Sequence, residues 1–242
     1  MLEYFKKILK KIEFPNNASC LIYFPILKGP LKGSLWIAGA AAGEGQGLST
    51  IFNLSEQEQV SCAMQLINPN DVCFDIGANV GFYTLLFSKN AKQVVSFEPV
   101  PRNLKYLFEM INLNCLKNVL VIPAAVSKES KCMRFNTGEN CALGKLDNSG
   151  EITVLSVSCD EFIERYNIIP TLIKIDVEGA EVDVLLGATK LLSTHKPQIL
   201  LSTHGDKCKK DCFEILASFN YGTIQPIDDS RIDEATEFLI KA

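Results

Sequence analysis

Along the chain, short apolar runs alternate with longer segments whose apolar positions recur every three to four residues. The runs at 72–76, 93–97, 119–125, 152–156, 172–175 and 198–202 predict strands. The segments at 82–89, 101–115, 159–166, 180–191 and 206–219 predict helices, and Pro101 suits a first helical turn. Strands and helices in strict alternation predict an α/β fold, a mainly parallel sheet with helices on both faces. The polar, glycine-bearing stretch 131–150 interrupts that rhythm and reads as a hairpin, while 222–242 supplies two more strands, one near Phe238. Residues 1–69 do not share the alternation. Pro25, Pro30 and the glycines from Gly29 to Gly47 mark turns around short strands such as 34–37. Ser55 and Glu58 stand at the spacing of a capping box and predict a helix over 56–67. The chain therefore divides into an N-terminal extension, 1–69, which could cover a substrate, and a main domain, 70–242.

A length of 242 residues suits one α/β domain with a decorated N-terminus better than two small ones. Apolar content of 47% and charged content of 21% argue against disorder. A net charge of −4 and a pI near 5.4 argue against a nucleic-acid partner. No apolar run is long enough to predict a membrane span. Residues 1–12 combine four lysines with Leu2, Phe5, Ile8 and Leu9. They read as an amphipathic helix packed on the domain, with contact to a membrane surface as the alternative. Nine scattered cysteines, an odd number without framework spacing, point to reduced thiols and a cytoplasmic protein. That compartment also makes the glycosylation triplets at Asn17 and Asn53 chance matches. His204, Cys208 and Cys212 share one helical face, but a zinc site would want a fourth ligand, so no metal is expected.

The chemistry concentrates at strand ends. The segment 75–81 reads Asp-Ile-Gly-Ala-Asn-Val-Gly and lies between a strand and a helix. Gly77 and Gly81 allow a tight turn and close backbone approach to a ligand, and free N–H groups at the helix start would face it. Asp75 could bind an ammonium group or orient the turn. Glu98, ending the next strand, is placed to hold ribose hydroxyls. The pattern is Gly-x-Asn-x-Gly rather than the dinucleotide fingerprint, which disfavours an NAD enzyme; the leading Asp suits S-adenosylmethionine, with its ammonium, carboxylate and ribose. A second cluster holds Lys174 and Asp176, on one face of a strand, followed by Glu178. Asp176 could accept a hydroxyl proton, and Glu178 is expected to begin the next helix as a cap or a catalytic group. His204 ends another strand and can act as a base near neutral pH, whereas His195 sits in a loop.

The blocks from Asp75 to Tyr83, Phe97-Glu98-Pro99, Ala124-Ala125-Val126 and from Lys174 to Glu181, in this order, resemble the FkbM family of methyltransferases. The resemblance implies a class I methyltransferase (Rossmann-like) fold and S-adenosylmethionine as donor. It also implies transfer to a hydroxyl oxygen of a sugar or natural product, a small-molecule or glycan acceptor. It assigns the cofactor to Asp75, Gly77, Asn79, Gly81, Phe82, Glu98, Pro99 and Ala125, with Ala124 to Ser127 bordering adenine. Their place at the strand ends makes Asp176 and His204 the candidate bases for the transfer, with Glu178 and Lys174 in support. Many members carry an acid two residues before this histidine; here Ser202 stands there, which removes the obvious carboxylate to orient His204. N-methylation, and a cofactor-binding regulatory protein without transfer, remain alternatives. The extension and the 131–150 excursion are the segments expected to shape the acceptor site.

Overall fold

The computed structural model describes residues 22–38, 40, 47–54, 56–136, 145–146, 150–228 and 230–242. The expected helix at 1–12 and Ser55 of the expected capping box lie outside them. The described chain begins with a hairpin of β1 (Tyr23–Pro25) and β2 (Leu35–Ile37), then helices α1 (Leu48–Phe52) and α2 (Gln57–Leu66). Next come β3 (Val72–Ile76), α3 (Phe82–Ser88), β4 (Gln93–Phe97), α4 (Pro101–Leu113) and β5 (Val119–Ile122). A small sheet follows, built from β6 (Ala125–Val126), β7 (Cys132–Asn136), β8 (Lys145–Leu146) and β9 (Ile152–Val157). The chain continues through α5 (Cys159–Tyr166), β10 (Leu172–Ile175), α6 (Glu181–Leu186), α7 (Thr189–Thr194), β11 (Gln198–Ser202) and α8 (Asp206–Ser218). It closes with β12 (Thr223–Pro226) and β13 (Glu237–Lys241).

The central sheet has seven strands in the order β12-β13-β11-β10-β3-β4-β5. From β11 to β5 all pairings are parallel, and β13 runs antiparallel to both β11 and β12. Side chains alternate across such a sheet, and the two cores separate accordingly. Phe74, Ile76, Val95, Phe97, Ile173, Ile175, Ile199 and Leu201 pack on one face beneath α5, α6, α7 and α8. Cys73, Val94, Leu172 and Leu200 face the other way, toward α2, α3 and the hairpin residues Ile26, Trp36 and Ile37. The hairpin is thus part of a core shared with the sheet, and Asn114 fastens it by accepting from Leu35 N–H (2.8 Å) and donating to Leu35 O (2.9 Å).

Three local expectations are corrected. Helix α2 starts after Glu56, whose backbone is left-handed (φ 52°) and whose side chain makes no cap hydrogen bond, so the residue before the helix is Glu56 rather than Ser55. The strand expected over 119–125 breaks at Pro123: β5 stays in the central sheet while β6 joins the small one. The helix expected over 180–191 divides into α6 and α7 at Gly187. The carbonyl of Ser127 lies there, 2.2 Å from where a Cβ would sit, and Asp160 N–H donates to the Gly187 carbonyl (2.9 Å). Among the described residues no helix is long and apolar enough to cross a membrane, and the described cysteines are free thiols.

Candidate active site

A cavity of about 420 Å³ opens at the carboxyl ends of β3, β4, β10 and β11. Alternation explains what reaches it. Two residues on from the apolar row Cys73, Val94 and Leu172 stand Asp75, Ser96 and Lys174, side by side in register. These polar groups are buried beneath α3. Thr84 O–H donates to Asp75 Oδ2 (2.6 Å) and lies 2.8 Å from Ser96 Oγ. Lys174 Nζ sits 4.4 Å from the centre of the Tyr83 ring and donates to Asp176 Oδ2 at 2.9 Å. Burial pushes the Asp75 carboxyl up, against the opposing pull of Lys174 and Thr84. Burial alone would lower Lys174, but Asp176 and Asp75 outweigh it and hold the ammonium charged.

The glycine loop is held by β4. Gly77 and Ala78 N–H donate to Phe97 O (3.1 and 3.0 Å), Asn79 N–H to Glu98 Oε2 (2.8 Å) and Gly81 N–H to Ala78 O (2.9 Å). These bonds occupy the N–H groups of Gly77, Ala78, Asn79 and Gly81 within the protein, ahead of the start of α3. Gly77 is required by its φ of 81° and by proximity, since a Cβ would lie 1.9 Å from Asp176 O. Gly81 does not line the cavity; it packs against Leu107, whose Cδ1 is 2.7 Å from its would-be Cβ. Glu98 accepts from Val100 N–H (2.9 Å) and Asn103 Nδ2 (3.2 Å) on Oε1. Burial raises its pKa to about 7 despite these bonds and that from Asn79.

The second cluster converges on His204. Its Nδ1 lies 2.7 Å from Glu181 Oε1, and its Nε2 lies 3.4 Å from Glu178 Oε2 and 3.9 Å from Asp176 Oδ1. Glu181 has no solvent contact and also accepts from Cys208 S–H (2.9 Å) and Gly179 N–H (3.0 Å). Burial pushes Glu181 up, but these bonds prevail and hold its pKa below the usual range. The bond to Glu181 raises His204 to about 9, against desolvation and with help from Glu178 and Asp176. Burial raises Glu178. The expected capping role of Glu178 is corrected: α6 begins at Glu181, and Glu178 sits before it in a left-handed turn (φ 52°) that aims its carboxylate at His204. A non-glycine residue held there is strained, and the turn spends that strain on placing a cavity group.

Asp75, Gly77, Asn79, Phe82, Glu98, Pro99, Ala125, Lys174, Asp176, Glu178 and His204 all line the one cavity. Sequence reasoning gave no role to Trp36, Glu56, Tyr83 and Glu237, which line it too. Ser202 O–H donates to Glu237 Oε2 at 2.7 Å, so a carboxylate meets Ser202 from the antiparallel neighbour rather than from its own strand. Alternation along β13 could have marked Glu237 as facing the same way as Leu239, but only once its register was known. Glu181 was visible as the end of the Lys174 block; its contact with His204 was not.

The lining suits a nucleoside with a cationic amino-acid end. Glu98 uses three of roughly four acceptor sites, leaving one for a hydroxyl. Asn79 Oδ1 is buried without a partner among the described residues, an acceptor waiting for a donor. Carboxylates outnumber cations around it. Asp176, Glu178 and His204 also bring ligand atoms within 4.8 Å of one another, a trio able to hold a divalent cation, although the Lys174 ammonium competes for Asp176.

The family model described as "Methyltransferase FkbM domain" matches residues 75–233. Over 188 residues the chain is 28% identical to a protein named hexuronic acid methyltransferase AglP from Haloferax volcanii, covering 76% of each chain. The fold is similar to the crystal structure of an FkbM methyltransferase from Methylobacillus flagellatus KT, at TM-score 0.55 and 18% identity over 84% of this chain. This chain spans 56% of that one. It is also similar to SMU.1697c of Streptococcus mutans, solved with SAH, at TM-score 0.50 and 16% identity over 76% of this chain and 94% of that one.

Proposed function

Because the chain belongs to the FkbM methyltransferase family, we propose that it methylates a hydroxyl oxygen of a sugar. S-adenosylmethionine is the methyl donor. Bound, it supplies an electrophilic methyl on a sulfonium and brings positive charge into the cavity. Glu98 and the loop from Gly77 to Phe82 would hold its nucleoside and amino-acid parts, with Ala125 beside the base.

The observation that carries the reading is the convergence of His204 Nε2, Glu178 and Asp176 on that cavity, with Glu181 buried behind the ring. Glu181 accepts from Nδ1–H, which fixes the tautomer and leaves Nε2 as the atom that can take a proton. A cation beside a histidine lowers its pKa, so positive charge in the cavity raises the share of neutral His204, the form able to take a proton. Nε2 then removes the proton of the attacking hydroxyl. Asp176, tied to Lys174, accepts a hydrogen bond that positions the acceptor oxygen. The described part of the extension supports a role in covering the acceptor, since Trp36, Ser49, Thr50 and Glu56 all line the cavity. The relative named for a hexuronic acid supports a sugar as acceptor.

Incubation with isotopically labelled donor and a panel of sugars, followed by mass spectrometry and linkage analysis, tests this reading. Label on a sugar oxygen is the expected result. Label on nitrogen, or no transfer by a protein that binds the demethylated donor in calorimetry, overturns it.

A further inference from the structure

We propose that Glu237 selects the acceptor: with Glu56 and Glu178 it turns away a sugar bearing a carboxylate next to the reacting hydroxyl and admits one that is neutral or carries an amine there. This deepens the sugar reading above and rests on it. Among the described residues the cavity is lined by six carboxyl groups, those of Glu56, Asp75, Glu98, Asp176, Glu178 and Glu237, against two cations, Lys174 and His204. Both cations are already matched. Lys174 holds Asp176 at 2.9 Å, and His204 rests on Glu181 at 2.7 Å. Among the described residues, an incoming carboxylate would meet Glu56, Glu178 and Glu237 with no unmatched positive charge to receive it. Like charges brought together away from bulk water are strongly unfavourable.

Glu237 is built to read a donor. It heads β13 opposite Ser202, whose hydroxyl donates to Oε2 at 2.7 Å. Among the described residues its Oε1 makes no hydrogen bond, and that oxygen can accept from a hydroxyl or an ammonium group. Burial raises its pKa to about 7, against the Ser202 bond and Lys174, and with Asp176 and Glu56 adding to the rise. Glu237 therefore carries its charge above about pH 7, where the comparison of acceptors is made, with Asp176 and Glu56 adding negative charge beside it. Glu98, at the donor end of the cavity, is fastened by Asn79, Val100 and Asn103 and is independent of this choice.

The test uses the full chain saturated with S-adenosylhomocysteine, with saturation-transfer NMR on the methyl glycosides of glucose, glucosamine and glucuronic acid. Calorimetry with S-adenosylhomocysteine comes first. Failure there sinks the donor assignment and is distinct from the outcomes that follow. Glucose and glucosamine glycosides should bind, and the glucuronide should bind at least about tenfold more weakly. Glu237→Gln keeps the size and the Ser202 bond; it should retain S-adenosylhomocysteine affinity and narrow the gap to within about threefold. Glu237→Asp, which restores the charge, should widen it again. Equal or tighter binding of the glucuronide by the wild type, or an unchanged gap in folded Glu237→Gln, overturns the proposal. No binding of any glycoside removes the sugar reading and this proposal with it.

Discussion

Replacing Glu181 by Gln should uncouple His204 from the device that charges it. The substitution keeps the shape of a side chain with no solvent contact and removes one negative charge 2.7 Å from Nδ1. His204 stands at about 9 chiefly because of that bond, while desolvation of the ring pulls the other way. Without the carboxylate, desolvation is opposed only by Glu178 and Asp176, and the midpoint should fall to within about one unit of the ordinary value near 6.5. The sign for stability follows. A folded-state pKa above the unfolded one gives stabilisation that is full below about pH 6.5 and lost as pH rises through about 9. A rise of this size corresponds to about 3 kcal/mol at most. The ring is 34% exposed, so screening by water leaves about 1–2 kcal/mol. Urea melts at about pH 6.5 and pH 9.5 should differ by that amount in the wild type and by much less in Glu181→Gln. The chain has two histidines, so NMR of the imidazole C2–H resonances follows His204 directly, with His204→Ala for assignment. A wild-type midpoint near 6.5, or an unchanged one in Glu181→Gln, would refute the coupling.

Other sites give independent checks. Glu98→Ala should weaken S-adenosylhomocysteine binding by about 1–3 kcal/mol in calorimetry, the cost of leaving buried donors without their acceptor. Asp176→Asn and His204→Ala should keep that affinity while single-turnover methyl transfer falls by about 10²–10³; normal rates in folded variants would show that another group takes the proton. Gly77→Ala should lower the melting temperature and the donor affinity together, because its Cβ would press on the Asp176 carbonyl from 1.9 Å.

Strands were the most legible part of this chain. β4, β10 and β11 have the bounds expected from their apolar runs, because a buried parallel strand is written as a short local signal. What escaped is what depends on a distant segment. The periodicity of 180–191 runs through Gly187 without a break, and the Ser127 carbonyl that leaves room only for a glycine there comes from a distant segment. Gly81 looked like a ligand-facing glycine, but its neighbour is Leu107 on α4. The cavity residues at strand ends were legible because the topology gathers all such ends at one rim. Glu237 was not, since it enters from an antiparallel strand and meets Ser202 across 35 positions of chain. Missing an acid beside His204 in its own strand suggested an unsupported ring; the supporting carboxylate comes from α6 instead.

The seam between β3 and β10 sets a condition on how the molecule comes to exist. It joins Asp75 to Lys174 in register and is locked at its start by Thr171 O–H donating to Asp71 across 100 positions of chain. Closing a loop of that length costs about 4 kcal/mol of chain entropy before any contact repays it, whereas the pairing of β3 with β4 spans far less chain. Pairing β10 with β3 is therefore the step with the larger loop-closure cost, and it is the step that brings Lys174 beside Asp75. A folding intermediate that had paired β3, β4 and β5 would hold Glu98 and the glycine loop without Lys174, Asp176 or His204. Such a species could bind a nucleoside long before it could move a methyl group.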